Sequence, residues 1–278
     1  MANITAAEVN KLRQMTGAGM MDCKVALQEA EGDVEKAIDI LRKKGQKVAA
    51  KRADRDANQG YVVAGTTSDQ TYAAVVMVNC ETDFVGKNEE FIQFAKDVLD
   101  AGIASRATDV AGLMGLRMGP VTIEQKVNEM LGKTGEKIQI AHYEVIEAPQ
   151  TFAYNHHGNR LATVIGVNKA GVPGIDEVGR EIAMQVAAMN PVAVDVQDVD
   201  QKTIEREIEI GKEQARQEGK PEEMLEKIAQ GKLNRFYKES TLLNQEFIRD
   251  TKKTVKQYLG EADKDLTVTG FKRLMLGA

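Results

Sequence analysis

The chain has no tryptophan, and its other aromatics make up only 5% of 278 residues. A ring that is not buried therefore calls for an explanation. The two cysteines, Cys23 and Cys80, are too far apart for a metal-ligand pair and are expected to be buried free thiols in a reducing compartment. Of three histidines only His156 and His157 are adjacent, which leaves little for a zinc site. No apolar run reaches the ~18 residues of a membrane span. The start, MANITAAEVN, lacks the basic region and apolar core of a secretory signal, so the expected compartment is the cytoplasm. A formal net charge of -5 argues against broad nucleic-acid binding and leaves room only for a local basic patch. No nucleophile–base pair, metal cluster or phosphate loop stands out, so no cofactor and no catalytic residues are expected.

Hydrophobic residues at 42% and charged residues at 28% are enough for sizeable cores, and the length suggests about two domains. The first 45 residues read as three helices. Thr5-Ala6-Ala7-Glu8 is a capping box, and Ile4 and Val9 are spaced for a hydrophobic staple across it. Val9 and Leu12 begin an apolar face, and Thr16-Gly17-Ala18-Gly19 ends the helix. A second helix spans about Met21 to Ala30. Asp33 suits the N-cap of a third, whose Val34, Ala37, Ile38 and Leu41 share one face, with Gly45 closing it. Between 42 and 55 the chain carries Arg42, Lys43, Lys44, Lys47, Lys51, Arg52 and Arg55 against Asp54 alone. This run reads either as a solvated linker, placed at 46–59, or as a nucleic-acid arm. The arm would lack interleaved aromatics to stack on bases.

Tyr61–Ala64 and Tyr72–Val78 form a predicted hairpin, followed by a helix from about Asn88 to Ala101. Residues 105 to 120 give no clear pattern. Thr122-Ile123-Glu124-Gln125 is a second capping box. Gly132-Lys133-Thr134 invites a phosphate-loop reading, but the glycine required five positions earlier is Val127. Gly132 then reads as a helix C-cap. The strand–turn–strand–helix pattern recurs from Ile138. Ala73, Val75, Val78 and Asn79 are matched by Ala162, Val164, Val167 and Asn168, which implies an internal repeat. The fold class is α+β: a three-helix unit (1–45), then two related subdomains (60–136 and 137–278). Each is expected to have a small antiparallel sheet with helices on one face and the other face left for contacts. A charged helical hairpin is inserted at about 195–238, and its narrow stripe (Ile204, Ile208, Ala215, Met224, Leu225, Ile228) either zips the pair together or meets a second copy. A last strand at about Leu266–Leu276 should rejoin the second sheet.

Where the Tyr72–Val78 run stops, the chain continues Asn79-Cys80-Glu81-Thr82-Asp83-Phe84-Val85. Loops at the carboxyl end of strands often carry function. Phe84 must either pack inward beneath Phe91 or reach for a partner. Met20 and Met21 pose the same choice between flexible core filler and contact. His156 and His157 read as turn residues.

Three segments carry a family resemblance. They are Thr16-Gly17-Ala18-Gly19-Met20-Met21-Asp22-Cys23-Lys24 with Ala26-Leu27, Cys80-Glu81-Thr82-Asp83-Phe84-Val85, and Tyr154-Asn155-His156-His157-Gly158-Asn159-Arg160. Together they resemble the elongation factor Ts family, the bacterial nucleotide-exchange factors for elongation factor Tu. The resemblance implies a ubiquitin-associated-like amino-terminal domain, a two-part core, a coiled-coil insertion and a non-enzymatic role in translation elongation. It further implies that Thr82, Asp83, Phe84 and Val85 meet the partner's nucleotide domain, with Phe84 wedged between two helices and magnesium dislodged. Leu12, Met20 and Met21 would touch the same domain, and His156 or His157 another. The factor itself would bind no nucleotide, nucleic acid or membrane.

Overall fold

The computed structural model describes residues 4–52 and 54–278, and side chains outside 46–51; Lys47 and Lys51 of the basic run thus lie outside the described side chains. Helix α1 (Ala6–Thr16) starts at the expected capping box: the Glu8 amide donates to Thr5 Oγ1 at 3.3 Å and the Thr5 amide to Glu8 Oε2 at 2.7 Å. It stops at Gly17, left-handed at φ 67°. Helices α2 (Met20–Glu29) and α3 (Val34–Lys51) follow, and Asp33 accepts the Lys36 amide at 3.1 Å. The three pack around Val9, Leu12, Cys23, Ala26, Leu27 and Ala37, with Ile4 against the same cluster.

Strands β1 (Gln59–Thr66) and β2 (Tyr72–Cys80) form the predicted hairpin. A single helical turn, α4 (Asp83–Gly86), leads into α5 (Glu89–Ser105), capped by Asn88. The unassigned stretch folds as α6 (Val110–Met114) and a two-rung hairpin, β3 (Arg117–Met118) with β4 (Val121–Thr122). Helix α7 (Ile123–Thr134) opens on the second capping box. It runs past Gly132 and ends at Gly135 (φ 71°), so the predicted C-cap is three residues early; Val127 is buried inside it, as the rejection of a phosphate loop requires. Strand β5 (Gln139–Glu147) was expected to open the second subdomain, but it pairs with β2, giving the order β1-β2-β5. Side-chain chemistry favours this pairing: Tyr143 reaches the first core, where its hydroxyl lies 3.1 Å from that of Tyr72, which donates to the Ala107 carbonyl.

The second sheet contains β6 (Gln150–Asn155) and β7 (Leu161–Val167), followed by α8 (Ile175–Met189). The insertion is α9 (Gln201–Gln217) and α10 (Glu222–Ser240). Its base is clamped where the Val192 amide donates to the Ser240 carbonyl at 2.8 Å and the Leu242 amide to the Ala193 carbonyl at 2.9 Å. Part of the expected stripe zips the pair together: Ala215 and Leu225 are buried with Ala229 and Leu233, and a Cβ on Gly211 would come within 3.1 Å of Ala229 Cα, whereas Ile204, Ile208 and Ile228 are half-buried and Met224 is exposed. A short hairpin, β8 (Glu246–Phe247) with β9 (Asp250–Thr254), precedes α11 (Val255–Ala262) and β10 (Val268–Met275). Strand β10 rejoins the second sheet, giving the order β10-β7-β6. The matched segments are thus the central strands β2 and β7, each between a hairpin partner and a returning strand.

One expectation about the sheets fails. Neither leaves its inner face free, because Val62, Ala64, Ala73, Val75 and Met77 pack on Ala162, Val164, Leu274 and Leu276. Helices α5 and α7 cover the outer face of the first sheet, and α8 and α11 that of the second. This four-layer arrangement explains why every residue of β2 is buried and why its sequence shows no alternation.

The third helix also departs from the expected end at Gly45. Gly45 is buried where α3 crosses α7, and a Cβ there would stand 3.2 Å from the Asn128 carbonyl. The glycine serves close helix approach rather than termination. Its weak helix propensity, about 1 kcal/mol relative to alanine, is overridden by that packing.

Candidate functional site: a braced loop presenting Phe84

The ladder of the first sheet ends at Asn79 and Cys80, which pair with Gln139 and Gln59. The chain then leaves the sheet, and side chains take over from the lost rungs. Glu136 Oε2 accepts the amides of Glu81 and Thr82 at 3.1 and 3.0 Å, and Oε1 accepts the Thr82 hydroxyl at 2.6 Å. Glu81 answers across the gap, accepting the Lys137 amide at 2.6 Å and Arg52 at 2.7 Å, with Arg55 3.8 Å away. These donors, the Lys137 amide foremost, hold the Glu81 carboxyl below its ordinary pKa. Thr82 caps α4 by accepting the Val85 amide at 3.4 Å. Cys80 Sγ lies under the loop, donating to the Thr82 carbonyl at 3.1 Å, and burial pushes its pKa up to about 12. That thiol is not a nucleophile.

The turn is seated by glycine. A Cβ on Gly86 would come within 3.3 Å of the Gly60 backbone, and one on Gly60 (φ 145°) would lie 2.0 Å from the Val78 carbonyl oxygen. Thr82 and Val85 are half-buried, with Val85 against the first core. Asp83 and Phe84 face outward. Asp83 pairs with Lys87 at 2.7 Å, and that bond holds its carboxyl below the usual range. Phe84 is 84% exposed. The inward packing beneath Phe91 does not occur; Phe91 is fully buried without it.

On the amino-terminal helices Met20 and Met21 are 53% and 67% exposed, but Leu12 is fully buried. Leu12 therefore offers no contact surface; it belongs to the packing that holds α1 against α2. Met15 and Val25 are exposed although the sequence reading did not select them. Val25 could have been found by its position one turn beyond Met21, off the buried face of Cys23, Ala26 and Leu27. Lys133 joins this region to α5: its side chain lies against Gly17, and it pairs with Glu90 in the first turn of that helix.

His156 and His157 are both exposed at the β6–β7 turn, with His156 Nδ1 3.0 Å from the Tyr154 hydroxyl. Their neighbours do other work. Asn155 and Asn159 turn toward β1 and bond the backbone of Ala64 and Val62.

Helix α3 runs through the basic stretch to Lys51, and four of its five described basic side chains lie against carboxylates, the exception being Lys43, which is exposed. Arg52 and Arg55 serve Glu81, Arg42 lies near Asp39 and Glu129, and Lys44 pairs with Asp22 at 2.5 Å. Among the described residues there is no cluster of three or more potential metal ligands, and no helix is long and apolar enough to cross a membrane.

Comparison with known proteins places this arrangement. Residues 81–278 match the family described as Elongation factor TS, a match that opens on the first residue of the Phe84 loop. The chain is 50% identical to Elongation factor Ts of Christiangramia forsetii, over the whole of both chains. It is 48% identical to that of Flavobacterium psychrophilum over 277 residues, 100% of each, and 46% identical to that of Amoebophilus asiaticus over 99% of each. The chain belongs to the elongation factor Ts family.

Membership makes it a translation elongation factor. Within that family this chain has one sheet whose central strand ends in a presented aromatic and one whose central strand does not. After Asn168 the matching position continues Lys169-Ala170-Gly171, and Lys169 is held by Asp263 at 2.7 Å.

Proposed function

We propose that this chain is a guanine-nucleotide exchange factor that binds elongation factor Tu carrying GDP, dislodges its magnesium and promotes GDP release so that GTP can bind. It does so in the bacterial cytoplasm without catalysing a chemical reaction and without contacting the nucleotide. The supporting observation is Phe84, a large apolar side chain left 84% exposed on a loop whose Thr82 amide is held by Glu136 and whose Glu81 carboxylate is held by the Lys137 amide. Such a ring gains by entering a partner's apolar cleft, and a loop already ordered loses little freedom on docking.

Magnesium joins nucleotide phosphates to groups of the G protein and tolerates little distortion of its octahedral shell. A wedge that shifts the neighbouring backbone therefore weakens GDP at a distance. Linkage makes the effect reciprocal: GDP weakens the factor by the same free energy.

Magnitudes decide how the work is divided. Taking GDP from nanomolar to micromolar affinity requires about 4 kcal/mol. Burying one phenylalanine returns about 1.5–3 kcal/mol. Phe84 is not sufficient alone, so the reading assigns the remainder to a wider surface: Met20 and Met21 on α2, Asp83 beside the wedge, and the His156–His157 turn on the second subdomain.

Release of a fluorescent GDP analogue from elongation factor Tu, with and without this chain, tests the proposal. Accelerated release that saturates with added chain is the expected result. A release rate independent of the chain would overturn it.

A further inference from the structure

We infer that Glu136 is a positioning residue for exchange, fixing the orientation in which the loop offers Phe84; this rests on the reading of Phe84 as the wedge. The Glu81 and Thr82 amides lie one and two residues beyond the last rung of β2, so no strand supplies their acceptors. Glu136, three residues before β5 begins, supplies both with a single carboxylate oxygen. Its other oxygen accepts a hydrogen bond from the Thr82 hydroxyl at 2.6 Å. Bonds to an ionised acceptor are shorter and stronger than neutral ones.

The third bond sets a chain of consequence. With its proton committed to Glu136, Thr82 Oγ1 turns lone pairs toward the Val85 amide and so acts as the cap of α4. Phe84 is the second residue of that turn. Glu136 therefore reaches the ring through Thr82 without touching it. Without the carboxylate, two amides and a hydroxyl turn to water and the loop samples other conformations, so docking must first order it. The counterpart loop in the second repeat has a lysine held by two aspartates and presents no ring.

The test measures stimulated release of a fluorescent GDP analogue from elongation factor Tu with the full chain and variants. Glu136→Ala should slow release about tenfold. Glu136→Gln should restore most of it, because its oxygen can accept both amides while its amide NH2 donates to a reoriented Thr82 hydroxyl. Glu136→Asp, one methylene shorter, should not. In a Phe84→Ala background Glu136→Ala should cause no further slowing, since a residue acting through the ring has nothing left to act on. Amide hydrogen exchange of the isolated chain gives a readout independent of the partner: Glu81 and Thr82 should lose protection in Glu136→Ala and keep it in Glu136→Gln.

The failures are distinguishable. If Phe84→Ala leaves release unchanged, the wedge reading falls and the inference with it. If Phe84→Ala slows release and Glu136→Ala does not, only the inference falls. Equal slowing by Glu136→Ala in both backgrounds, or unchanged protection of Glu81 and Thr82, also overturns it. Should Glu136→Ala fold poorly, the contrast between Glu136→Gln and Glu136→Asp carries the same decision.

Discussion

The side chain of Asn155 bonds the backbone of Ala64 as a neighbouring strand would: Nδ2 donates to the carbonyl at 2.9 Å and Oδ1 accepts the amide at 2.8 Å. Two residues along the same edge, the Val62 amide donates to the Asn159 carbonyl at 2.8 Å, and Asn159 Nδ2 donates to the Val62 carbonyl at 3.2 Å. The turn that carries the two histidines thus closes the open edge of β1, the kind of edge that otherwise invites pairing with another chain. The turn is a structural stitch between the two sheets.

Asn155→Ala should therefore lower stability while His157→Ala should not. The asparagine variant leaves both backbone groups of Ala64 without partners, at about 1–3 kcal/mol for each unsatisfied buried group. The exposed histidine variant should stay within about 0.5 kcal/mol of the parent. Denaturant unfolding measures both, and equal stabilities would mean that water replaces the asparagine without loss.

A second prediction concerns acid. In the β1–β2 turn Asp69 accepts the Thr67 hydroxyl at 2.5 Å and the Thr71 amide and hydroxyl at 3.1 and 3.0 Å. These bonds, Thr67 foremost, lower its pKa to about 2. An unfolded aspartate titrates near ~3.9, so the unfolded chain binds the proton more readily. The stabilisation is fully present above pH ~4 and is lost as pH falls towards ~2. The gap in melting temperature between the parent and Asp69→Asn should therefore be widest at neutral pH and should close on acidification. A gap independent of pH would show that the turn does not depend on the carboxylate's charge.

What was legible in the sequence was local or repeated. Thr5 and Thr122 announced their helices because a cap needs only residues three apart. Four matched residues found the two central strands. What escaped depends on partners distant in the chain. The continuation of α3 through Gly45 is set by Asn128, the placement of β5 by Tyr72, and the burial of both sheet faces by their mutual stacking. The direction of Phe84 could not be settled from its own loop, because the residue that shapes that loop is Glu136, fifty-odd positions away. The family resemblance supplied the outward reading, yet it also suggested Leu12 as a contact, which the packing of α1 on α2 excludes.

Leu12 and Met21 should separate stability from binding. Leu12→Ala removes a fully buried side chain and should destabilise the amino-terminal helices by about 2–5 kcal/mol. Met21→Ala removes one that is 67% exposed and should leave melting within about 0.5 kcal/mol of the parent. If α2 meets the partner, Met21→Ala should instead weaken binding to elongation factor Tu, read by titration calorimetry. A binding constant unchanged by Met21→Ala would remove α2 from the contact surface.

Phe84→Ala should leave the fold intact and slow exchange. The ring contributes little to the free chain's stability at 84% exposure, so melting should change by less than about 0.5 kcal/mol. If the ring is buried in the complex, its loss forfeits about 1.5–3 kcal/mol, or roughly a tenfold to hundredfold loss in stimulated GDP release. Asp83→Ala supplies the companion measurement. It should slow release when magnesium is present and matter less when the metal has been chelated, because a step that displaces magnesium has nothing to displace in its absence. A penalty for Asp83→Ala that is the same with and without chelator would mean that Asp83 acts only through its bond to Lys87, holding the α4 turn beneath the ring.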